Sequence, residues 1–250
     1  MTTSTGSTRT ALITGSGRNI GRAVAHELAG LGCNVILNGS TDRDACEKVA
    51  AEVTELGGQA LVAMGNIGDR DSVQSILDVA LTRFGRVDIL VNNAAIRPSF
   101  DLLNDDEARF NEIMDINFYS GLWLTRGCLP AMIENRWGRV INFTGMNAQQ
   151  GYTGKTAVSV SKHATWGLTK SIAKEYGHQG VTANIISPGT IVGEVDDPGM
   201  VAKYDTLKAN NPSGRLGDPV DIARMVGYLS SDQAGFVNGQ LLQVNGGVVV

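Results

Sequence analysis

Near the start of the chain, the run Thr14-Gly15-Ser16-Gly17-Arg18-Asn19-Ile20-Gly21 joins a short apolar stretch, Ala11 to Thr14, to a helical repeat of Ile20, Ala23, Val24 and Leu28. A glycine-rich turn between a first strand and a first helix aims backbone N–H groups and the positive helix end at a pyrophosphate. Its spacing is not G-x-G-x-x-G, because Ile20 falls where the third glycine would stand, so the reading rests on the turn's place in the chain. Gly15, Arg18, Asn19, Ile20 and Gly21 are its candidate contacts. Roughly 20 residues further on, where the adenosine ribose of a dinucleotide should sit, the chain reads Asn38-Gly39-Ser40-Thr41-Asp42-Arg43. A carboxylate accepting from both ribose hydroxyls would select NAD, but Gly39 stands in its place. A 2′-phosphate instead needs donors and positive charge, which Ser40, Thr41 and Arg18 offer, with Arg43 as a further candidate. The expected cofactor is NADP(H).

Elements must position these groups, and their alternation is plain. After the first strand and helix come apolar runs at Val35 to Leu37, Ala60 to Met64, Ile89 to Val91, Val140 to Phe143, Val181 to Ile186 and Leu241 to Val244. Between them lie helical patterns near Asp44 to Leu56, from Val73 to Phe84, around Ala108 to Glu134, and near Ser159 to Tyr176. Asp218-Pro219 supplies an N-cap and first-turn proline for a helix bearing Ile222, Ala223, Val226 and Leu229. The short strands are too apolar to have a wet face, which implies a parallel sheet covered on both sides. The fold expected is α/β, a single Rossmann-type doubly wound parallel sheet flanked by helices, occupying 1–250 as one domain. Ser187 to Gly217 breaks the rhythm, and in such sheets an excursion beyond the strand ends is a candidate substrate lid.

Composition excludes other classes. The 250 residues are 42% hydrophobic and 18% charged, enough for a full core. A net charge of -4 with no basic block makes nucleic acid an unsuitable partner. Cys33, Cys46 and Cys128 lack CxxC spacing, which suits a reducing compartment and argues against a disulfide frame or thiolate metal site. His26, His163 and His178 lack ligand spacing, so no metal is expected. No apolar run is long enough to span a bilayer and the Thr/Ser-rich start lacks the apolar stretch of a secretion signal, so a cytoplasmic location is expected.

With several later motifs, the first turn resembles the short-chain dehydrogenase/reductase family from the first strand to the C-terminus. Thr14-Gly15-x-x-x-Asn19-Ile20-Gly21 is similar to that family's T-G-x-x-x-G-I-G, with Asn19 for the middle glycine; asparagine tolerates a left-handed backbone better than other side chains. Asn92-Asn93-Ala94-Ala95 resembles its N-N-A-G, and Asn66-Ile67 falls where it places an Asp and an apolar residue around the adenine. The resemblance therefore implies cofactor contacts at Asn66, Ile67, Asn93 and Ala94. Asn117 matches the family's active-site asparagine, Ser187-Pro188-Gly189-Thr190-Ile191 its loop beside the nicotinamide, and Gly239-Gln240 with Asn245-Gly246-Gly247 its closing strand. Pro188, Gly189 and Ile191 are thereby expected at the cofactor, and a homotetramer is implied.

The family's chemistry uses a serine, a tyrosine and a lysine, the last two as Y-x-x-x-K. Ser161-Lys162-His163-Ala164 resembles the lysine segment, which places Val158 at the tyrosine position and Gly145 at the serine position. Lys162 is retained and is expected both to hold the nicotinamide ribose and to take part in catalysis with Asn117. Valine cannot donate a proton, and losing a general acid costs about a hundred- to ten-thousandfold. Tyr152, in the loop after Gly145, is a candidate replacement, and Thr144, Asn147, Lys155 and Thr156 are further polar options. Tyr152, Met146, Trp166 and the Thr190 to Tyr204 segment are candidate pocket lining, and Glu194, Asp196 and Asp197 form a small acidic cluster. The leading expectation is an NADP(H)-dependent oxidoreductase with altered proton delivery, acting on a C=O, C=C or C=N bond of a small molecule. A non-redox isomerase, lyase or cyclase and a non-catalytic NADP(H)-binding protein remain open alternatives.

Overall fold

The computed structural model describes residues 8–193 and 198–249. Among them the chain alternates β1 (Thr10–Thr14), α1 (Asn19–Gly30), β2 (Asn34–Asn38), α2 (Arg43–Glu55), β3 (Ala60–Val62), α3 (Arg70–Phe84) and β4 (Ile89–Asn92). It continues through α4 (Glu107–Met114), α5 (Ser120–Glu134), β5 (Gly138–Phe143), α6 (Met146–Gln150), α7 (Thr156–Tyr176) and β6 (Val181–Pro188). Two short helices, α8 (Pro198–Val201) and α9 (Tyr204–Ala209), precede α10 (Pro219–Leu229) and β7 (Leu241–Val244). The strands form one parallel sheet in the order β3-β2-β1-β4-β5-β6-β7. The order reverses between β1 and β4, which opens the switch-point crevice beyond their carboxyl ends.

Side-chain alternation explains the continuous apolar strands. Along β1, Ala11 and Ile13 pack on one face with Val24, Leu28, Ile222 and Val226, whereas Leu12 packs on the other with Ile76, Leu77 and Leu124. Each central strand is therefore buried twice over. The edge strands β3 and β7 differ, being half-exposed along most of their length, because each has a neighbour on one side only. Asp42, Asp69, Asp106 and Asp218 cap α2, α3, α4 and α10. The Asp218-Pro219 start is a full capping box, Val220 N donating to Asp218 Oδ1 and Asp218 N to Asp221 Oδ2, both at 2.8 Å.

Two local departures from the sequence expectation bear on the site. The helical stretch around Ala108 to Glu134 is interrupted by a π-helical turn over Asp115–Tyr119, with buried Asn117 at its centre. The Ser187 to Gly217 excursion carries α8 and α9, and its base is pinched shut by Val192 N to Gly217 O and Gly217 N to Thr190 O, each 2.9 Å. Glu194, Asp196 and Asp197 lie outside the described residues. The three cysteines are buried and unbridged. No helix among the described residues is long and apolar enough to cross a membrane.

Candidate active site

The β1–α1 turn is laced to the end of β4 by side chains. Thr14 Oγ1 accepts from the amides of Asn93 and Ala94, both at 3.0 Å, while Asn93 Nδ2 donates to Thr14 O at 2.9 Å and to Gly15 O at 3.0 Å. Ser16 N donates to Asn38 O at 2.9 Å, which ties the same turn to β2. Gly15, Gly21, Asn93 and Ala94 thus meet in one place. A Cβ on Gly21 would collide with the carbonyl oxygen of Gly15, so only glycine lets helix and turn approach this closely. Asn19 stands at φ 50, the left-handed conformation expected of it.

Four of the longer helices have an aspartate cap, but α1 has neither a side-chain cap nor an acidic residue in its first turn. Its positive end is left for an outside anion. Arg18, at the N-cap position, is exposed and makes no ion pair with a described residue. A Cβ at Gly39 would sit 2.7 Å from Cys46 Sγ, so the thiol packed under β2 would have to shift before a carboxylate that selects NAD could stand there. Ser40 and Thr41 are exposed beside it. These features fit a dinucleotide bearing a 2′-phosphate. Arg43 is redirected by its helix: it pairs with Glu47 one turn on, at 3.1 Å.

The other expected cofactor residues are placed unevenly. Asn66 is exposed, and its Oδ1 accepts from Gly68 N at 3.0 Å to close the turn after β3. Ile67 is buried in the core with Val73 and Ile76 rather than at the surface. Pro188 ends β6, Gly189 N donates to Val244 O at 2.9 Å, and Ile191 bridges Gly217. This strap therefore hangs at the carboxyl edge of the sheet.

On the chemical side, Asn117 uses its whole side chain. Its Oδ1 accepts from Ile96 N and its Nδ2 donates to Ile96 O, both at 2.9 Å, and Nδ2 also approaches Ser161 Oγ at 3.3 Å. The π turn is the backbone detour that lets the amide reach both the β4 loop and α7. Lys162, next to Ser161, is 4% exposed and makes no hydrogen bond with any described residue. Burial, with a smaller push from the Arg97 charge, lowers its pKa from 10.5 to about 7. One turn earlier on the same helix, Val158 is 6% exposed in an apolar cluster with Phe100, Ile113 and Ala157. Gly145 begins the α6 turn, and a Cβ there would meet nothing within 4 Å. Gln149 Nε2 donates to Ser187 Oγ at 2.6 Å, joining α6 to the strap.

The remaining polar candidates do not converge. Tyr152 is 49% exposed on the loop after α6, and no contact links its phenol to Lys162. Thr144 is buried at the end of β5, Thr156 starts α7, and the side chain of Asn147 lies outside the described residues. Lys155 turns to the β4 loop, donating to Arg97 O at 2.7 Å. Trp166 lies with His163 and beneath Lys170 Nζ, away from the buried stripe of α7 that holds Val158 and Lys162. Met146 is half-buried at the start of α6. Sequence reasoning missed Arg97; its only signal was a cation soon after Asn92-Asn93-Ala94-Ala95.

Comparison with known proteins finds relatives along nearly the whole chain. Residues 15–249 match the family model described as enoyl-(acyl carrier protein) reductase. A 3-oxoacyl-[acyl-carrier-protein] reductase of Haemophilus influenzae is 36% identical over 238 residues, covering 95% of this chain and 97% of the relative. A protein of the same name from Staphylococcus aureus is 32% identical over 241 residues, with 96% and 98% covered. Among solved structures, one described as an NAD(P)-dependent gluconate 5-dehydrogenase from Beutenbergia cavernae, with NADP bound at low occupancy, superposes with a TM-score of 0.87 at 33% identity, covering 96% of each chain. One described as a gluconate dehydrogenase from Agrobacterium tumefaciens gives 0.87 at 29% identity, with 97% and 96% covered.

Proposed function

This chain belongs to the short-chain dehydrogenase/reductase family and is an oxidoreductase of that class; from that premise we propose that it uses NADPH to reduce a C=O, C=C or C=N bond of a small molecule, with Lys162 as the proton donor. The observation that carries the reading is the Lys162 side chain, 4% exposed and without a hydrogen bond to any described residue, beside a valine and a glycine at the positions where the family resemblance places two hydroxyls.

In this reading the turn amides and the open end of α1 hold the pyrophosphate, Arg18, Ser40 and Thr41 hold the 2′-phosphate, and the strap from Pro188 to Ile191 lies along the nicotinamide. Bound NADPH supplies the hydride. The chain must then supply a proton where negative charge develops on the substrate. An ordinary lysine is a weak acid at neutral pH. With its pKa lowered to about 7, Lys162 is divided between ammonium and amine near neutrality, so it can give up a proton and regain one from solvent. The 187–217 excursion, closed at its base, covers the substrate as a lid. The relatives are named as 3-oxoacyl reductases and the family model as an enoyl reductase, which sets the substrates to try first.

The test is loss of NADPH absorbance with the purified protein against a panel of ketones, enones and imines. Turnover with at least one class is expected; NADPH binding without oxidation by any of them would contradict the reading. Because Tyr152 is a rim residue in this account, Tyr152→Phe is expected to change kcat by less than about threefold. A much larger loss in kcat, with NADPH affinity intact, would return the donor role to the phenol.

A further inference from the structure

The loop after β4 presents a cation that the proposed mechanism does not use. Arg97 follows Ile96, whose amide and carbonyl are both held by Asn117 at 2.9 Å, and its own carbonyl accepts from Lys155 Nζ at 2.7 Å. Phe100 N donates to Gly154 O at 2.8 Å, so the β4 loop and the loop before α7 are stitched together. Ile96 and Phe100 both pack against the cluster that contains Val158. Arg97 therefore grows from a backbone fixed on both sides, beside the turn of α7 that carries Val158 and Lys162.

Its guanidinium is free to act. It makes no hydrogen bond or ion pair with a described residue, and the side chain is exposed. Desolvation by the protein around it nonetheless disfavours its charge. Its field reaches Lys162. No carboxylate of a described residue neutralises either group. Two neighbouring cations are relieved by an anion between them, and a planar guanidinium fork matches the two oxygens of a carboxylate.

We propose that Arg97 is a substrate-binding residue that grips a carboxylate, so that the site selects small oxo acids over their neutral counterparts; this rests on the reductase reading above. A carboxylate held there would also favour the ammonium form of Lys162, so that substrate binding draws a proton onto the donor. Binding and acid catalysis would then be coupled.

Acetoacetate and ethyl acetoacetate carry the same ketone and differ in charge, which makes them suitable probes. Each is titrated calorimetrically into the wild type, Arg97→Gln and Arg97→Lys, with and without NADPH. The acid is expected to bind the wild type at least about tenfold more tightly than the ester, a charge-assisted bidentate contact being worth that much or more. Arg97→Gln should remove that preference while leaving ester binding unchanged, and Arg97→Lys should recover part of it. Because Arg97 is exposed, both variants should melt with the wild type and bind NADPH within about twofold of it. Equal affinity for acid and ester, no binding of the acid, or undiminished acid binding by Arg97→Gln would overturn the proposal. A preserved preference for the acid in protein that fails to bind NADPH would leave the anion site standing and remove the reductase reading instead.

Discussion

Lys162→Met is expected to lower kcat by about a hundred- to ten-thousandfold, the range for loss of a general acid, while NADPH affinity falls by no more than about tenfold. The split matters because a lysine that only held the cofactor ribose would show its main loss in binding. Stability should move the other way. The folded-state pKa of about 7 lies below the ordinary 10.5, so the fold favours the neutral amine. Below about pH 7 both folded and unfolded chains carry the proton, and the fold bears the whole cost of a buried ammonium. Between there and the unfolded value the unfolded chain binds a proton that the folded chain does not, so stability rises with pH. Methionine removes that cost. The variant should therefore gain most in melting temperature near pH 6, by several degrees or more, and progressively less toward about pH 10. A gain that did not shrink with rising pH would show that the amine is not the titrating group.

The second large effect concerns the nucleotide. Arg18→Ala is expected to weaken NADPH binding by about ten- to a hundredfold, as loss of charge-assisted contacts to a phosphate does, and to leave NADH nearly unaffected. Equal losses for both nucleotides would contradict a 2′-phosphate role. Gly39→Asp puts a negative charge where that phosphate would lie and drives a Cβ toward Cys46 Sγ, 2.7 Å away. It should lose NADPH at least about tenfold without gaining NADH, since the carboxylate cannot settle into ribose-binding position. Adding Cys46→Ala opens the space under β2, and the double variant is where NADH binding should appear. Both affinities can be read from quenching of protein fluorescence or by calorimetry.

The alternation of strands and helices was legible because the central strands are apolar on both faces, a pattern that admits few architectures. Asp218-Pro219 and Asn19 were legible for local reasons: one supplies a cap and a preset φ, the other a side chain that tolerates φ 50. The features that could not be read depend on contacts between distant segments. The π turn exists because Asn117 reaches the Ile96 backbone, 21 residues away in sequence. A side chain at Gly39 would press on Cys46 of the next helix, and the Ile67 side chain packs in the core between β3 and α3. The Arg43–Glu47 pair had a local signal, since Glu47 stands four residues on along α2.

The chemical end shows the same division. Val158 and Gly145 were reached by counting back from Lys162 along the family pattern, which carries no information about their surroundings. Val158 is packed among Phe100, Ile113 and Ala157, so a phenol there would have to displace that cluster, whereas Gly145 faces open space. Nor does Lys162 look unusual as one letter in Ser-Lys-His; its altered acidity comes from three-dimensional burial and from an arginine on another loop. Trp166, expected in the pocket, turns to His163 and Lys170 because the buried stripe of α7 is filled by Val158, Ser161, Lys162 and Thr165.

Single-turnover oxidation of bound NADPH, followed across pH with an accepted substrate, bears on the proton donor most directly. With Lys162 as donor and a neutral substrate the rate should be at its plateau below about pH 7 and fall roughly tenfold per unit above it, and the fall should vanish in Lys162→Met. A rate that holds level through about pH 9, or one whose decline survives that substitution, would contradict the account.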